Sequence, residues 1–232
     1  MLFDLDGTLL DTAADIHTAL NRALAEFRWE PMSESAVRQM IGRGAPILME
    51  RTAAAQGRVL EEPTQTAMVE RFFHHYGALQ ENDEFGARPY AGVSGALETL
   101  HGAGLRTAVV TNKQERFARG LLHRLHLKQW IDVVVGGDSC ERRKPDPQPL
   151  LFACERLGVL PSRTLMVGDS INDVKAARAA QIAVICVPYG YNEGNDPRDL
   201  PCDQLIDDLS KLPPLVLPGT EAGASPTPPA VT

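Results

Sequence analysis

The chain has 232 residues, 44% of them hydrophobic and 23% charged. That is enough apolar material for one sizeable core with an insert, or for two small domains. The formal net charge of -7 argues against a nucleic-acid partner, whose phosphates need a basic face, and against docking on an anionic membrane.

"MLFDLDGTLLDT" opens the chain. Leu2 to Leu5 read as a short buried strand that ends at Gly7-Thr8. The lead-in before Asp4 is brief for a central strand: either the strand is trimmed or the natural chain begins upstream. In "DIHTALNRALAEF", Ile16, Ala19, Leu20, Ala23, Leu24 and Phe27 recur at helical spacing. Ser33 is placed to cap a second helix with Val37, Met40 and Ile41 on one face. Gly42-Arg43-Gly44 interrupts it, and Pro46 suits the first turn of another helix. A further helix carries Met68, Val69, Phe72, Phe73 and Tyr76, so residues 13–87 read as all-helical.

From Arg88-Pro89 the pattern alternates. "VSGALETLHGAG", "QERFARGLLHRLH", "PQPLLFACERLG" and "NDVKAARAAQ" read as helices, and "RTAVVT", "IDVVVGG", "TLMVGD" and "IAVICVP" as strands. Continuous Val/Ile runs between helices imply a parallel sheet covered on both faces. The tail from 213 to 232 is rich in Pro, Gly, Ala, Ser and Thr and reads as disordered. The expected fold is therefore α/β, a doubly wound, mostly parallel sheet built from residues 1–12 and 88–212. An all-helical module, 13–87, is inserted after its first strand.

Ligands of such sheets bind at the carboxyl ends of the strands. Asp4 and Asp6 stand at the end of the first strand, on the same side, with Leu5 opposite. Turn or capping roles would explain one aspartate there; two unpaired buried charges would be costly. Asp11 reads as a structural residue where the chain leaves for the helices. Thr111-Asn112 ends the strand "AVVT", where a hydroxyl and an amide suit a phosphate oxygen. Lys144, in "RRKPDP", is followed by Pro145 and Pro147 and reads as held in place rather than left in solvent. "VGDSIND" places Asp169 at another strand end, with Asp173 four residues on, near the mouth of the same cleft. Asp169 or Ser170 can cap the helix at the same time. Carboxylates this close cannot all stay ionised without a cation. Oxygen-only ligation favours a hard one such as Mg2+. Lys144 adds positive charge, so an anionic substrate is implied.

Other features read as structural. The four cysteines, Cys140, Cys154, Cys186 and Cys202, form no CxxC pair and read as reduced thiols. His123 and His126 read as a surface pair on one helix. The N-terminus lacks the basic start and apolar run of a signal peptide, and no apolar stretch is long enough for a bilayer, so a cytoplasmic protein is expected.

The motifs "FDLDGTLLD", "VVTN", "RRKPDP" and "VGDSIND" occur in order. Together they resemble the haloacid dehalogenase superfamily of phosphatases, and the likeness covers nearly all but the tail. The resemblance implies that Asp4 attacks phosphorus and that Asp6 is the acid and base. It implies that Thr111 and Lys144 hold the phosphoryl group. It also implies that Asp4, the Asp6 main-chain carbonyl and Asp169 ligate Mg2+, with Asp173 in support. The helical insert resembles the small α-helical cap of this superfamily, and "MIGRGAPILMERT" is similar to the cap loop of phosphoglycolate phosphatases. In that loop Gly42 and Gly44 would let main-chain amides approach a substrate carboxylate, and Arg43 would pair with it; Asn112 would complete the substrate site. The expected activity is Mg2+-dependent hydrolysis of a small phosphorylated metabolite, 2-phosphoglycolate first, by a monomer or homodimer. A sugar-phosphate phosphatase or phosphosugar mutase is the alternative, and a non-catalytic protein on the same fold the more distant one.

Overall fold

The computed structural model describes residues 1–217. In chain order the elements are β1 (Leu2–Phe3), β2 (Leu10–Asp11), α1 (Ala13–Glu26), α2 (Glu34–Arg38), α3 (Ala45–Ala55), α4 (Glu62–Glu81), β3 (Arg88–Pro89), α5 (Val93–Gly102), β4 (Ala108–Val110), α6 (Glu115–Arg124), β5 (Val133–Val135), α7 (Gln148–Leu157), β6 (Leu165–Gly168), α8 (Ile171–Ala179), β7 (Ala183–Cys186), β8 (Gln204–Leu205) and α9 (Leu212–Val216). Six strands form one parallel sheet in the order β5-β4-β1-β6-β7-β8.

Two-residue alternation explains why both faces of that sheet are apolar. Leu2, Ala108, Val110, Met166 and Val184 pack on one side with Leu150, Ala153 and Val174. Phe3, Val109, Val167 and Ile185 pack on the other with Leu97, Leu100 and Leu121. Each strand therefore needs hydrophobic residues at successive positions, the continuous runs seen in the sequence. From β1, in the middle, the chain goes on to β4 and β5 on one side and later to β6, β7 and β8 on the other. The strand order thus reverses at the carboxyl end of β1, the place where such sheets open a crevice.

Helices α1 to α4 bury a cluster of their own around Leu20, Leu24, Met49, Met68, Phe72 and Tyr76. Phe117, at the start of α6, and Tyr191, beyond β7, join that cluster and seat the helices on the strands' carboxyl ends. The local signals act as expected: the Ser33 hydroxyl accepts a hydrogen bond from the Ala36 N–H (3.3 Å) at the start of α2, and Pro46 lies in the first turn of α3. The two chain crossings pair antiparallel as β2 and β3, Leu10 opposite Pro89 and Asp11 opposite Arg88.

The structure corrects two sequence expectations and adds three short strands. Residues 213–217 do not begin a disordered tail: α9 continues the fold, with Leu212 and Pro213 buried and Val216 packed against the core. The apolar residues Leu212 and Val216 stand one helical turn apart and outweigh the prolines; residues 218–232 lie outside the described chain. His123 and His126 do not share a helix, because α6 ends at Arg124 and His126 takes a left-handed φ of 57° to close it. The two-residue strands β2, β3 and β8 carry no readable period, and pairing alone defines them.

Candidate active site

Asp4 follows β1 directly, and its N–H donates to the Val167 carbonyl (2.9 Å), so the ladder holds its backbone. Its Oδ1 accepts from the Leu5 N–H (2.7 Å) and pairs with Lys144 Nζ (2.8 Å). The same ammonium donates to Asp173 Oδ1 at 2.6 Å. Asp173 Oδ2 accepts from the Ser170 N–H (3.1 Å) and hydroxyl (2.7 Å), the capping box that starts α8. Asp173 is thus fully buried under the site rather than at its mouth, because capping and Lys144 draw it inward. Asp169 Oδ1 accepts from the Thr8 hydroxyl (2.7 Å) and Oδ2 from the Tyr191 N–H (2.6 Å). Gly7, at φ 88°, passes so close to Asp169 that a Cβ there would collide with the carboxylate.

Asp4, Asp169 and Asp173 are all buried, and each offers an oxygen within 4.8 Å of the others. Lys144 is the cation bonded into this group. Burial is the main force that pushes Asp4 up to about 7, against the pull of Lys144. Asp169 is driven well above the carboxylate range by burial first, then by Asp4 and Asp173. Burial works against the charged form of Lys144, but Asp173 and Asp4 outweigh it and raise its pKa. Three oxygen donors with excess negative charge suit a hard divalent cation.

Asp6 stands apart from that group. Its Oδ1 accepts from the Thr12 hydroxyl (2.6 Å) and from Lys113 Nζ (2.7 Å). Its side chain is not among the clustered carboxylates, so any metal role is left to its main-chain carbonyl. Asp11 holds the crossing to the helices. It accepts from the Tyr191 hydroxyl (2.6 Å) and pairs with Arg38 of α2 (2.9 Å).

A cavity of about 70 Å³ lies between the strand ends and the helices. Asp4, Asp6, Thr111 and Lys113 line its core side, and Ile41, Leu48, Phe72 and Tyr76 its helical side. Thr111 is buried where β4 ends. Asn112 also lines the cavity, yet its amide nitrogen donates to the carbonyls of Gly42 (3.0 Å) and Lys144 (2.9 Å). It straps the glycine loop to the Lys144 loop, so its NH2 group is committed to the fold. Gly42 and Gly44 reach the cavity wall. Gly44 has φ 82°, and a Cβ on it would stand 3.2 Å from the Asn112 carbonyl oxygen, so the loop's approach needs glycine. Arg43 is exposed and does not line the cavity. The turn that brings the two glycines inward sends the residue between them out. The cations that do line the cavity are Lys113 and Arg143. Both follow or precede motif residues directly, Thr111-Asn112 and Lys144, but neither stands at a position whose spacing marks it.

The family model described as haloacid dehalogenase-like hydrolase matches residues 1–187. The chain belongs to this family. A curated phosphoglycolate phosphatase of Nitrosospira multiformis is 41% identical over 217 residues, 93% of this chain and 94% of that protein. A plasmid-borne phosphoglycolate phosphatase of Cupriavidus necator is 42% identical over 228 residues, 97% and 96% of the two chains. Among solved structures, that of a predicted phosphoglycolate phosphatase from Haemophilus somnus superposes with a TM-score of 0.85 at 32% identity, covering 93% of this chain and 96% of that one. The chain is thus an enzyme, a hydrolase of the phosphatase type, on the mostly parallel sheet that its sequence implied. No helix among the described residues is long and apolar enough to cross a membrane.

Proposed function

We propose that this enzyme hydrolyses a small phosphomonoester, 2-phosphoglycolate in first place, through a phosphorylated Asp4. The observation that carries the reading is the unequal setting of two neighbouring aspartates. Asp4 is bonded to Lys144 and the Leu5 N–H beside two further carboxylates, while Asp6 faces the same cavity with separate partners. In the first step an Asp4 oxygen forms a bond to phosphorus as the bond to the leaving oxygen breaks, and Asp6 gives that oxygen its proton. In the second, Asp6 takes a proton from water as the water oxygen attacks phosphorus and releases Asp4. Thr111 and Lys144 hold the phosphoryl oxygens. Asp4, Asp169 and the Asp6 main-chain carbonyl would hold Mg2+, with Asp173 in support, and the bound ion supplies charge neutralisation at the phosphoryl group.

The small cavity and the glycine loop support a compact substrate, and the names of the curated relatives support phosphoglycolate. Residues 13–87 would act as the cap that excludes water from the phosphorylated enzyme. Free cysteines fit a reducing cytoplasm. The test is phosphate release with and without Mg2+, with 2-phosphoglycolate compared against hexose phosphates. The expected result is Mg2+-dependent release, fastest from 2-phosphoglycolate. No Mg2+-dependent release from any small phosphomonoester would overturn the activity; preference for a hexose phosphate would overturn the substrate alone.

A further inference from the structure

We propose that Lys113 is the specificity residue of this site and binds the carboxylate of the substrate. The inference rests on the phosphatase reading above and adds which side chain recognises the second anion. In a phosphoglycolate-type substrate the carboxylate carbon is two bonds from the bridging oxygen. Asp6 serves that oxygen, so the carboxylate must settle close to Asp6. Two carboxylates side by side repel each other unless a cation joins them. Lys113 is that cation: its Nζ lies 2.7 Å from Asp6 Oδ1, and its side chain is only 8% exposed. An ammonium has three N–H donors; Asp6 takes one, and the Tyr76 ring, with its centroid 4.8 Å from Nζ, covers another flank. A donor remains for a bound anion. The buried Tyr76 hydroxyl has no hydrogen-bond partner among the described residues and lines the same cavity, so it offers a second contact.

The other basic candidates do not meet this geometry. Arg43 is exposed and does not line the cavity. Arg143 is exposed, and its Nε donates to the Gly137 carbonyl (2.7 Å) rather than to Asp6. Lys144 is bonded to Asp4 and Asp173 and does not line the cavity, and its remaining donor serves the phosphoryl group.

The test compares 2-phosphoglycolate with 2-hydroxyethyl phosphate, the same ester with CH2OH in place of the carboxylate. The readout is the ratio of their kcat/KM values. Lys113→Gln should lower that ratio about tenfold or more, mainly through KM for 2-phosphoglycolate. Lys113→Arg should keep a good part of it. Because both esters depend on Asp6, a loss of support for Asp6 lowers both rates together and cancels in the ratio. Circular dichroism melting of each variant shows that it is folded. If folded Lys113→Gln slows both esters equally, or if the ratio responds to Arg143→Gln instead, the assignment is overturned while the phosphatase reading stands. If the wild type hydrolyses neither ester, the phosphoglycolate reading fails and takes the assignment with it, and the phosphatase reading falls as well only if no other small phosphomonoester is hydrolysed.

Discussion

The strand ends and the helical roof hold charge in opposite ways. At the strand ends, Asp4, Asp169 and Asp173 are buried, and each is bonded to groups fixed by the sheet or by α8. On the roof side the joints are ion pairs between helices and loops, such as Arg38–Asp11 and Arg51–Glu193 at 2.9 and 2.7 Å. A rigid cluster can aim a reacting group, whereas part-exposed pairs can separate at modest cost. The division suggests that chemistry is set by the core and access by the roof, and it can be broken from either side.

The largest effect is expected at the strand end. Asp4→Asn removes the proposed nucleophile and should lower turnover by about a thousandfold or more. The variant should still fold, since Lys144 keeps Asp173; steady-state phosphate release and circular dichroism check both. Retained turnover would contradict the assignment of Asp4.

Lys144→Met should come next. It leaves Asp4 and Asp173, buried beside Asp169, without their ammonium, and the metal-free protein should lose about 3–5 kcal/mol of stability. Mg2+ should restore part of that loss. Urea denaturation with EDTA and with Mg2+ measures both, and an unchanged midpoint in EDTA would contradict the buried-charge account.

A pH experiment sharpens the same point. Asp4 stands at about 7 in the folded chain against an ordinary 3.8. Between those values the folded protein keeps a proton that the unfolded chain has released. Its contribution to stability is full below 3.8 and is lost as pH rises through about 7. Asp169, raised as well, acts in the same direction. The melting temperature in EDTA should therefore fall across this window, and added Mg2+ should raise it most at the alkaline end. A Mg2+ effect independent of pH would count against binding at these carboxylates.

The smallest effect is expected at the roof. Arg51→Ala breaks the pair with Glu193, whose partners are 23% and 21% exposed. It should cost about 1 kcal/mol or less in stability and change KM more than kcat. A drop in kcat as large as that of Asp4→Asn would show that roof and core are not separable.

Much of this was legible in one dimension because it depends on local order. The continuous runs in β4 to β7, the helical spacing of α1 and the turn at Gly7-Thr8 follow from neighbours along the chain. So do Asp4 and Asp169 at strand ends, since a strand's exit places its next residues at the sheet edge, and Asp173 in the first turn of the helix that follows. The partners of those residues were not legible. Lys113 lies 107 positions from Asp6, and no period connects them. Asn112 was expected at the substrate site; it lines the cavity, but that its amide nitrogen also ties Gly42 to Lys144 had no signal in the sequence. Arg43 was expected inward, but its loop turns on glycines that take the inner wall themselves. α9 forms because its apolar residues meet the core formed near α5, against the breaking tendency of its prolines. Sequence alone determined the sheet, the inserted helices and which carboxylates stand at the strand ends, because backbone periodicity and turn chemistry are local. Tertiary structure decided which charge meets which, since a buried polar group binds whatever partner packing brings to it.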